Sequence, residues 1–197
     1  MASRQLLRLT RDKTAFLCCD IQSLFKSTIH CFDHIAHTAS ILVNAGRIFN
    51  VPVIVSEQYP EKLGKTVSTI DVNGLHVYPK ADFSMITDGF PNTILTGKDT
   101  FVLFGIETHV CVMQTAIDLL TAGKHVVLVT DAVSSSRELD RSTALHRLTA
   151  AGVVLMTAES VMFDLMRTKN AAEFKEISTL AKRIAQYSKD YSTLSSL

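Results

Sequence analysis

The chain is poor in the features that mark most specialised proteins. It has no tryptophan, four cysteines, four prolines and a formal net charge of only +1 over 197 residues. Lysine and arginine occur as scattered pairs, so no basic field is offered to nucleic acid or anionic lipid. No aromatic platform for stacked bases accompanies them. Cys18, Cys19, Cys31 and Cys111 show neither disulfide-scaffold nor CxxC spacing. With no secretory apolar segment at the N-terminus, they are expected to stay reduced inside a cell. No stretch approaches the roughly 20 apolar residues of a membrane-spanning helix, and no membrane partner is expected.

Repeats, low-complexity segments and Pro/Gly-rich linkers are also missing. One domain is therefore expected over residues 1–197, with its core at about 12–180 and a polar tail after Ser188. At 47% hydrophobic and 20% charged residues the composition suits a globular α/β domain. A chain of this length buries roughly 70% of its unfolded surface, so neither a disulfide nor a metal is needed to hold it. The opening Met1 to Arg11 is basic and acid-free, and the terminal Ser195-Ser196-Leu197 is an imperfect echo of a peroxisomal signal. The expected location is the cytosol.

What is present is an alternation of apolar runs and helical periodicity. Strands are read at Ala15–Cys19, Val53–Val55, Leu75–Tyr78, Phe101–Phe104, Val126–Val129 and Val153–Met156. Helical spacing covers 34–49, 111–122, 138–151 and the C-terminal 159–186, with a brief helix after Asn92. This order predicts one parallel sheet covered on both faces. Ligands in such sheets bind beyond the carboxyl ends of the strands. Asp20, Glu57, Lys80, Gly105 to Cys111 and Asp131 are all expected at or just after those ends.

Cys111 is the strongest single candidate. Phe101 to Phe104 reads as a fully buried strand, Gly105 breaks it, and Met113, Ala116, Ile117 and Leu120 continue with helical spacing. A cysteine where a strand hands over to a helix meets free backbone N–H groups and the positive end of the helix dipole. Such a place favours a thiolate and offers donors to a developing oxyanion. Asp20, ending the first strand, would serve as base, and Lys80, after the stiff Tyr78-Pro79, as electrostatic partner. Cys18 and Cys19 lie inside a strand and read as inert; Cys31 stays undecided. His109 is expected to point away from Cys111, since positions two apart do not share a helix face. His76 offers only an unsupported Cys–His pairing.

The run His30-Cys31-Phe32-Asp33-His34-Ile35-Ala36-His37 imitates a metal site, with His30, His34 and His37 on one helical face. It is read instead as an exposed helix start capped by Asp33, because a tetrahedral ligand set cannot be completed.

The stretch Gly105-Ile-Glu-Thr-His-Val-Cys111-Val-Met-Gln-Thr-Ala-Ile-Asp-Leu119 resembles the isochorismatase-like cysteine hydrolase superfamily. So do Cys19-Asp20-Ile21-Gln22, Pro79-Lys80 and Val129-Thr-Asp131-Ala-Val-Ser-Ser135. The likeness spans roughly residues 12 to 180 and is nearest to the eukaryotic isochorismatase domain-containing proteins. It implies a three-layer α/β/α fold around a six-stranded parallel sheet. It also implies an Asp–Lys–Cys triad on Asp20, Lys80 and Cys111, and a cis peptide between Ile106 and Glu107. Backbone N–H groups at Glu107 and Cys111 would then form the oxyanion hole.

Isochorismatases proper lack the nucleophilic cysteine, so Cys111 argues against vinyl-ether cleavage. Nicotinamidases hold zinc through an Asp-x-His pair after the second strand. Here that region reads Ser56-Glu57-Gln58-Tyr59-Pro60, so neither a metal nor another cofactor is expected. The expected activity is hydrolysis of a small C–N bond in an amide, carbamoyl or ureido compound, with Tyr59 and Phe83 as pocket walls. Relatives of this kind assemble, which implies a homodimer or homotetramer. The alternatives are a vestigial hydrolase acting as an interaction or scaffold protein and, with less behind it, a nuclease or RNA-binding protein.

Overall fold

The computed structural model of the chain describes residues 7–187. The basic stretch at the very N-terminus lies partly outside these residues; the polar tail and Ser195-Ser196-Leu197 lie wholly outside.

Six strands form one parallel sheet: β1 (Thr14–Cys19), β2 (Val53–Gln58), β3 (His76–Lys80), β4 (Thr100–Ile106), β5 (His125–Ser134) and β6 (Val154–Met156). Their order across the sheet is β3-β2-β1-β4-β5-β6. Every residue of β1 and β4 is buried, as expected of central parallel strands covered on both faces. Helices provide that cover. α1 (Phe32–Phe49), α6 (Ala158–Met166) and α7 (Phe174–Tyr187) close one apolar layer with Phe16, Cys18, Val102 and Phe104. α4 (Met113–Thr121) and α5 (Glu138–Ala151) close the other with Ala15, Leu17, Cys19, Phe101 and Leu103. The period-two alternation of β1 sends Cys18 and Cys19 into opposite layers. Two short helices, α2 (Pro60–Leu63) and α3 (Asn92–Gly97), complete the set. The α/β class, the three layers and the six parallel strands are as expected.

The chain reverses its direction across the sheet at β1, which pairs with β2 on one side and β4 on the other. The crevice beyond the carboxyl ends of β1 and β4 is therefore the topological switch point, where ligands bind in open α/β sheets.

Four local expectations are corrected. The C-terminal helical stretch is two helices, broken at Arg167 (φ 70°). Asp164 accepts from the Leu9 backbone N–H at 2.8 Å, Arg167 donates to the Leu9 carbonyl, and Arg11 pairs with Glu173 at 2.8 Å. The break lets the N-terminal segment be clasped there while α7 packs on α1. β5 is longer than read, running through Asp131 to Ser134, because buried Arg141 donates to the carbonyls of Thr130 and Val133 and holds its second half. Cys31 (φ 56°), not Asp33, is the residue that precedes α1, and Asp33 sits in the first turn paired with Lys26 at 3.0 Å. His30, His34 and His37 do not share a face. His30 precedes the helix, His34 is buried against the sheet, and His37 stacks on Tyr187 at 3.9 Å between centroids. Among the described residues no group of three or more His, Cys, Asp or Glu is arranged to hold a metal ion.

Candidate active site

Asp20 follows β1 directly and adopts φ 53°, a left-handed conformation that Asp tolerates better than most residues. Its side chain is 1% exposed and that of Lys80 is 0% exposed, and the two form an ion pair at 2.7 Å. Ser56, in register beside Cys19 on β2, donates to Asp20 Oδ1 at 2.7 Å. The Cys19 thiol donates to Asp20 Oδ2 at 3.5 Å. Three donors thus occupy three of the roughly four lone-pair positions of a carboxylate, and one position is left for a further proton.

Lys80 ends β3. Its Nζ has four oxygen acceptors within hydrogen-bond distance of its three N–H groups: Asp20 Oδ2, Gln58 Oε1 at 2.6 Å, the Phe83 carbonyl at 2.9 Å and the Asp82 carbonyl at 3.1 Å. Burial by itself would lower the Lys80 ammonium, but the acidic groups packed around it, Cys19, Asp20 and Cys111, together outweigh that effect and hold it above the ordinary lysine value. Burial also pushes the Cys19 thiol well up, with the neighbouring Cys111 and the Asp20 charge acting in the same direction. A neutral Cys19 is a donor to Asp20.

Cys111 lies after β4, buried in the same apolar layer as Cys19. It lies close enough to Cys19 and to Lys80 to act on the charge of both. The structure therefore brings Asp20, Lys80 and Cys111 together from the ends of three strands. The turn that carries Cys111 differs from expectation. Thr108–Val112 is a single wide π turn, with Val112 N–H donating to the Glu107 carbonyl at 3.2 Å, and the α-helix begins only at Met113. π turns of this kind are frequent at functional sites. Thr115 locks the turn by donating to the Cys111 carbonyl at 2.7 Å and accepting from the Met85 N–H at 2.9 Å. The Ile106–Glu107 peptide bond is cis. Gly105 (φ 132°) is required because an added Cβ would lie 2.1 Å from the Cys19 carbonyl oxygen.

The other expected residues divide. His109 points away from Cys111, with its Nδ1 3.0 Å from Ser135 Oγ. His76 lies at the start of β3, the opposite end of that strand from Lys80, with its Nε2 3.0 Å from the Gly89 carbonyl. Glu57 and Asp131 do not join the site. Glu57 accepts from Lys65 and Thr66 and pins the loop after β2, whereas Asp131 accepts from the Ala158 N–H at the start of α6. Phe83 is 51% exposed and lines a cavity of about 420 Å³ with Ala81, Asp82, Ser84, Ile86, Gln114 and Asp118. Tyr59 is 48% exposed beneath the Lys62 ammonium, and its N–H donates to the Lys80 carbonyl.

Sequence reasoning passed over Cys19, Ser56, Gln22, Gln58 and Thr115. Period-two alternation does place Cys19 on the face opposite Cys18, but which layer holds Cys111 depends on the strand order. Gln22 and Gln58 carry no motif that identifies them singly.

Residues 14–160 match the isochorismatase domain family. The chain belongs to the isochorismatase family. It is 42% identical over 175 residues to isochorismatase domain-containing protein 1 of Salmo salar, a match that covers 87% of this chain and 62% of that protein. The chain thus spans under two thirds of that relative's length. Among solved structures it is similar to the MAR1 ribonuclease of Caenorhabditis elegans, with a TM-score of 0.83, 38% identity, and 88% and 92% of the two chains covered. It is also similar to YcaC of Pseudomonas aeruginosa with hexane-2,5-diol and covalent acrylamide, with a TM-score of 0.82, 25% identity, and 96% and 99% covered. An isochorismatase-like hydrolase fold thus carries the buried charge pair.

Proposed function

We propose that this isochorismatase-family chain is a cysteine hydrolase that cleaves a small C–N bond in an amide, carbamoyl or ureido compound. The observation that carries the reading is the buried Lys80–Asp20 ion pair at 2.7 Å with the Cys111 thiol beside it. An ion pair removed from water costs more in desolvation than most surface pairs return. Its retention at the switch point fits a chemical task.

In the proposed sequence Asp20 takes the proton of Cys111 on its remaining lone pair. The thiolate forms a bond to the substrate carbonyl carbon, and the oxyanion is held by the backbone N–H groups of Glu107 and Cys111. Collapse breaks the C–N bond as Asp20 returns the proton to the departing amine, leaving a thioester. Asp20 then deprotonates a water, which attacks the thioester carbon and releases the acid and the thiolate. Lys80 offsets the negative charge that builds between Asp20 and Cys111. The sequence needs no metal or other cofactor, because the thiolate supplies the nucleophile. Phe83 and Tyr59 would flank the substrate, and the covalent acrylamide of the P. aeruginosa protein accords with electrophiles reaching a nucleophile in this fold.

Cys111→Ala is the test. Turnover of any C–N substrate found by screening small amides, carbamoyl compounds and ureides is expected to vanish. Iodoacetamide labelling of the residue 111 peptide is expected to vanish with it, while the melting temperature holds. Undiminished turnover in that variant overturns the mechanism. In the wild type, labelling of Cys111 no faster than Cys31 would point instead to an interaction protein built on a silent site.

A further inference from the structure

We infer that Gln58, held by Gln22, is a positioning residue that fixes the Lys80 ammonium as a charge beside Asp20 and Cys111. The inference rests on the reading of Cys111 as nucleophile. A buried ammonium has three N–H donors, and Lys80 Nζ has four oxygen acceptors: Gln58 Oε1 at 2.6 Å, Asp20 Oδ2 at 2.7 Å, Phe83 O at 2.9 Å and Asp82 O at 3.1 Å. The shortest of these is to Gln58. None is a sulfur, so the donors of Lys80 are spent on oxygen and its action on Cys111 is through its field.

The orientation of the Gln58 amide is decided by its surroundings. Its Nε2 donates to the Ala81 carbonyl at 2.7 Å, which leaves only Oε1 to face the ammonium. Gln22 holds the backbone of the same residue on both sides. Gln22 Oε1 accepts from the Gln58 N–H at 2.7 Å, and Gln22 Nε2 donates to the Gln58 carbonyl at 2.9 Å and to the Gly64 carbonyl at 2.7 Å. The Gln22 N–H in turn donates to the Asp20 carbonyl at 2.8 Å. The bonds close a circuit from Asp20 through Gln22, Gln58 and Lys80 back to Asp20, joining the ends of β1, β2 and β3. A neutral acceptor suits this position, since it anchors the ammonium without cancelling its charge. A carboxylate there would compete with Asp20 for Lys80.

The titratable groups that act on Lys80 are Asp20 and Cys19 at the end of β1 and Cys111 on the π turn; Asp82 and Asp88 line a cavity with Lys80 beyond β3, and the Tyr78 hydroxyl on β3 donates to the Met85 carbonyl. Glu107 and His109 are engaged elsewhere, with Ser136 and Ser135 respectively.

The test follows iodoacetamide modification of the Cys111 peptide by mass spectrometry across pH 6 to 10, in wild type, Gln58→Glu and Gln58→Met. Gln58→Glu is expected to slow modification about tenfold near pH 7, the equivalent of one pH unit in thiolate population, with the deficit closing towards pH 10. On an identified substrate kcat is expected to fall while KM holds. A merely structural glutamine would lower the melting temperature and leave the pH dependence of modification unmoved. Gln58→Met keeps the length without the acceptor and serves if the glutamate variant does not fold; its modification is expected to slow several-fold at pH 7. Wild-type Cys111 reacting no faster than Cys31 overturns the nucleophile reading and this inference with it. Wild-type Cys111 reacting faster, with both Gln58 variants unchanged at every pH, overturns the role of Gln58 alone.

Discussion

Lys80→Met isolates the physics of the site from its chemistry. The substitution removes the ammonium and keeps much of the apolar stem. It leaves the buried Asp20 carboxylate with Ser56 and the weakly donating Cys19 thiol as its donors. Gln58 Oε1 and the carbonyls of Asp82 and Phe83 lose their donor as well. Breaking one side of a buried pair costs about 3–5 kcal/mol, because a charge is left uncompensated in the interior. For a domain of this size each kcal/mol lowers the melting temperature by about 2–4 °C, so a fall of about 6–20 °C is expected. Urea titration read by circular dichroism should show the midpoint falling while the slope is retained. The double variant Asp20→Leu with Lys80→Met removes both charges together. It is expected to be more stable than Lys80→Met alone, since replacing a whole buried pair by apolar groups is often neutral. A single-variant loss below about 1 kcal/mol, or losses that add to within about 0.5 kcal/mol in the double variant, would refute the argument that these charges are coupled and desolvated.

Gly105→Ala places a Cβ 2.1 Å from the Cys19 carbonyl oxygen and 2.7 Å from its nitrogen, at a φ of 132°. A loss of about 3 kcal/mol or more is expected from overpacking and strain together, and a melting temperature within 3 °C of wild type would contradict it. His34 is buried, and desolvation pulls its imidazole down to about 4. With the folded value below the unfolded 6.5, the unfolded chain binds the proton first. The His34 contribution is intact above pH 6.5 and declines as pH falls towards 4, by at most about 3 kcal/mol. Asp131, whose carboxyl burial raises, works in the opposite sense at the acid end. Denaturant midpoints at pH 7, 5.5 and 4.5 in wild type and His34→Phe test this; equal slopes in the two proteins would rule it out.

The legibility of the site followed the range of the interactions involved. Cys111 was readable because its signal is local: a buried strand, a glycine and a helical period occupy adjacent residues. Asp20 and Lys80 became candidates through strand ends and motif resemblance. Glu57 and Asp131 shared the same strand-end signal and turned out to hold a loop and a helix start. Position along a strand does not reveal whether a carboxylate meets a cation or a backbone N–H. Cys19 read as inert because strand cysteines usually are, yet the alternation that buries Cys18 against α1 turns Cys19 towards Asp20 and Cys111. The histidines at 30, 34 and 37 suggested a common face only on the assumption of a continuous helix, and Cys31 at φ 56° starts that helix too late.

By itself the sequence determined the class of the fold, the six strands and the thiol at the turn after the fourth of them. Periodicity, apolar burial and the conformational freedom of glycine are properties of neighbouring residues. The tertiary structure alone decided the strand order β3-β2-β1-β4-β5-β6, and through it which side chains share the crevice. Parallel strands pair across long connections, so their register depends on packing over the whole sheet. That pairing set Ser56 beside Cys19 and Gln58 beside Lys80, and turned four polar residues from three strand ends into one hydrogen-bonded circuit.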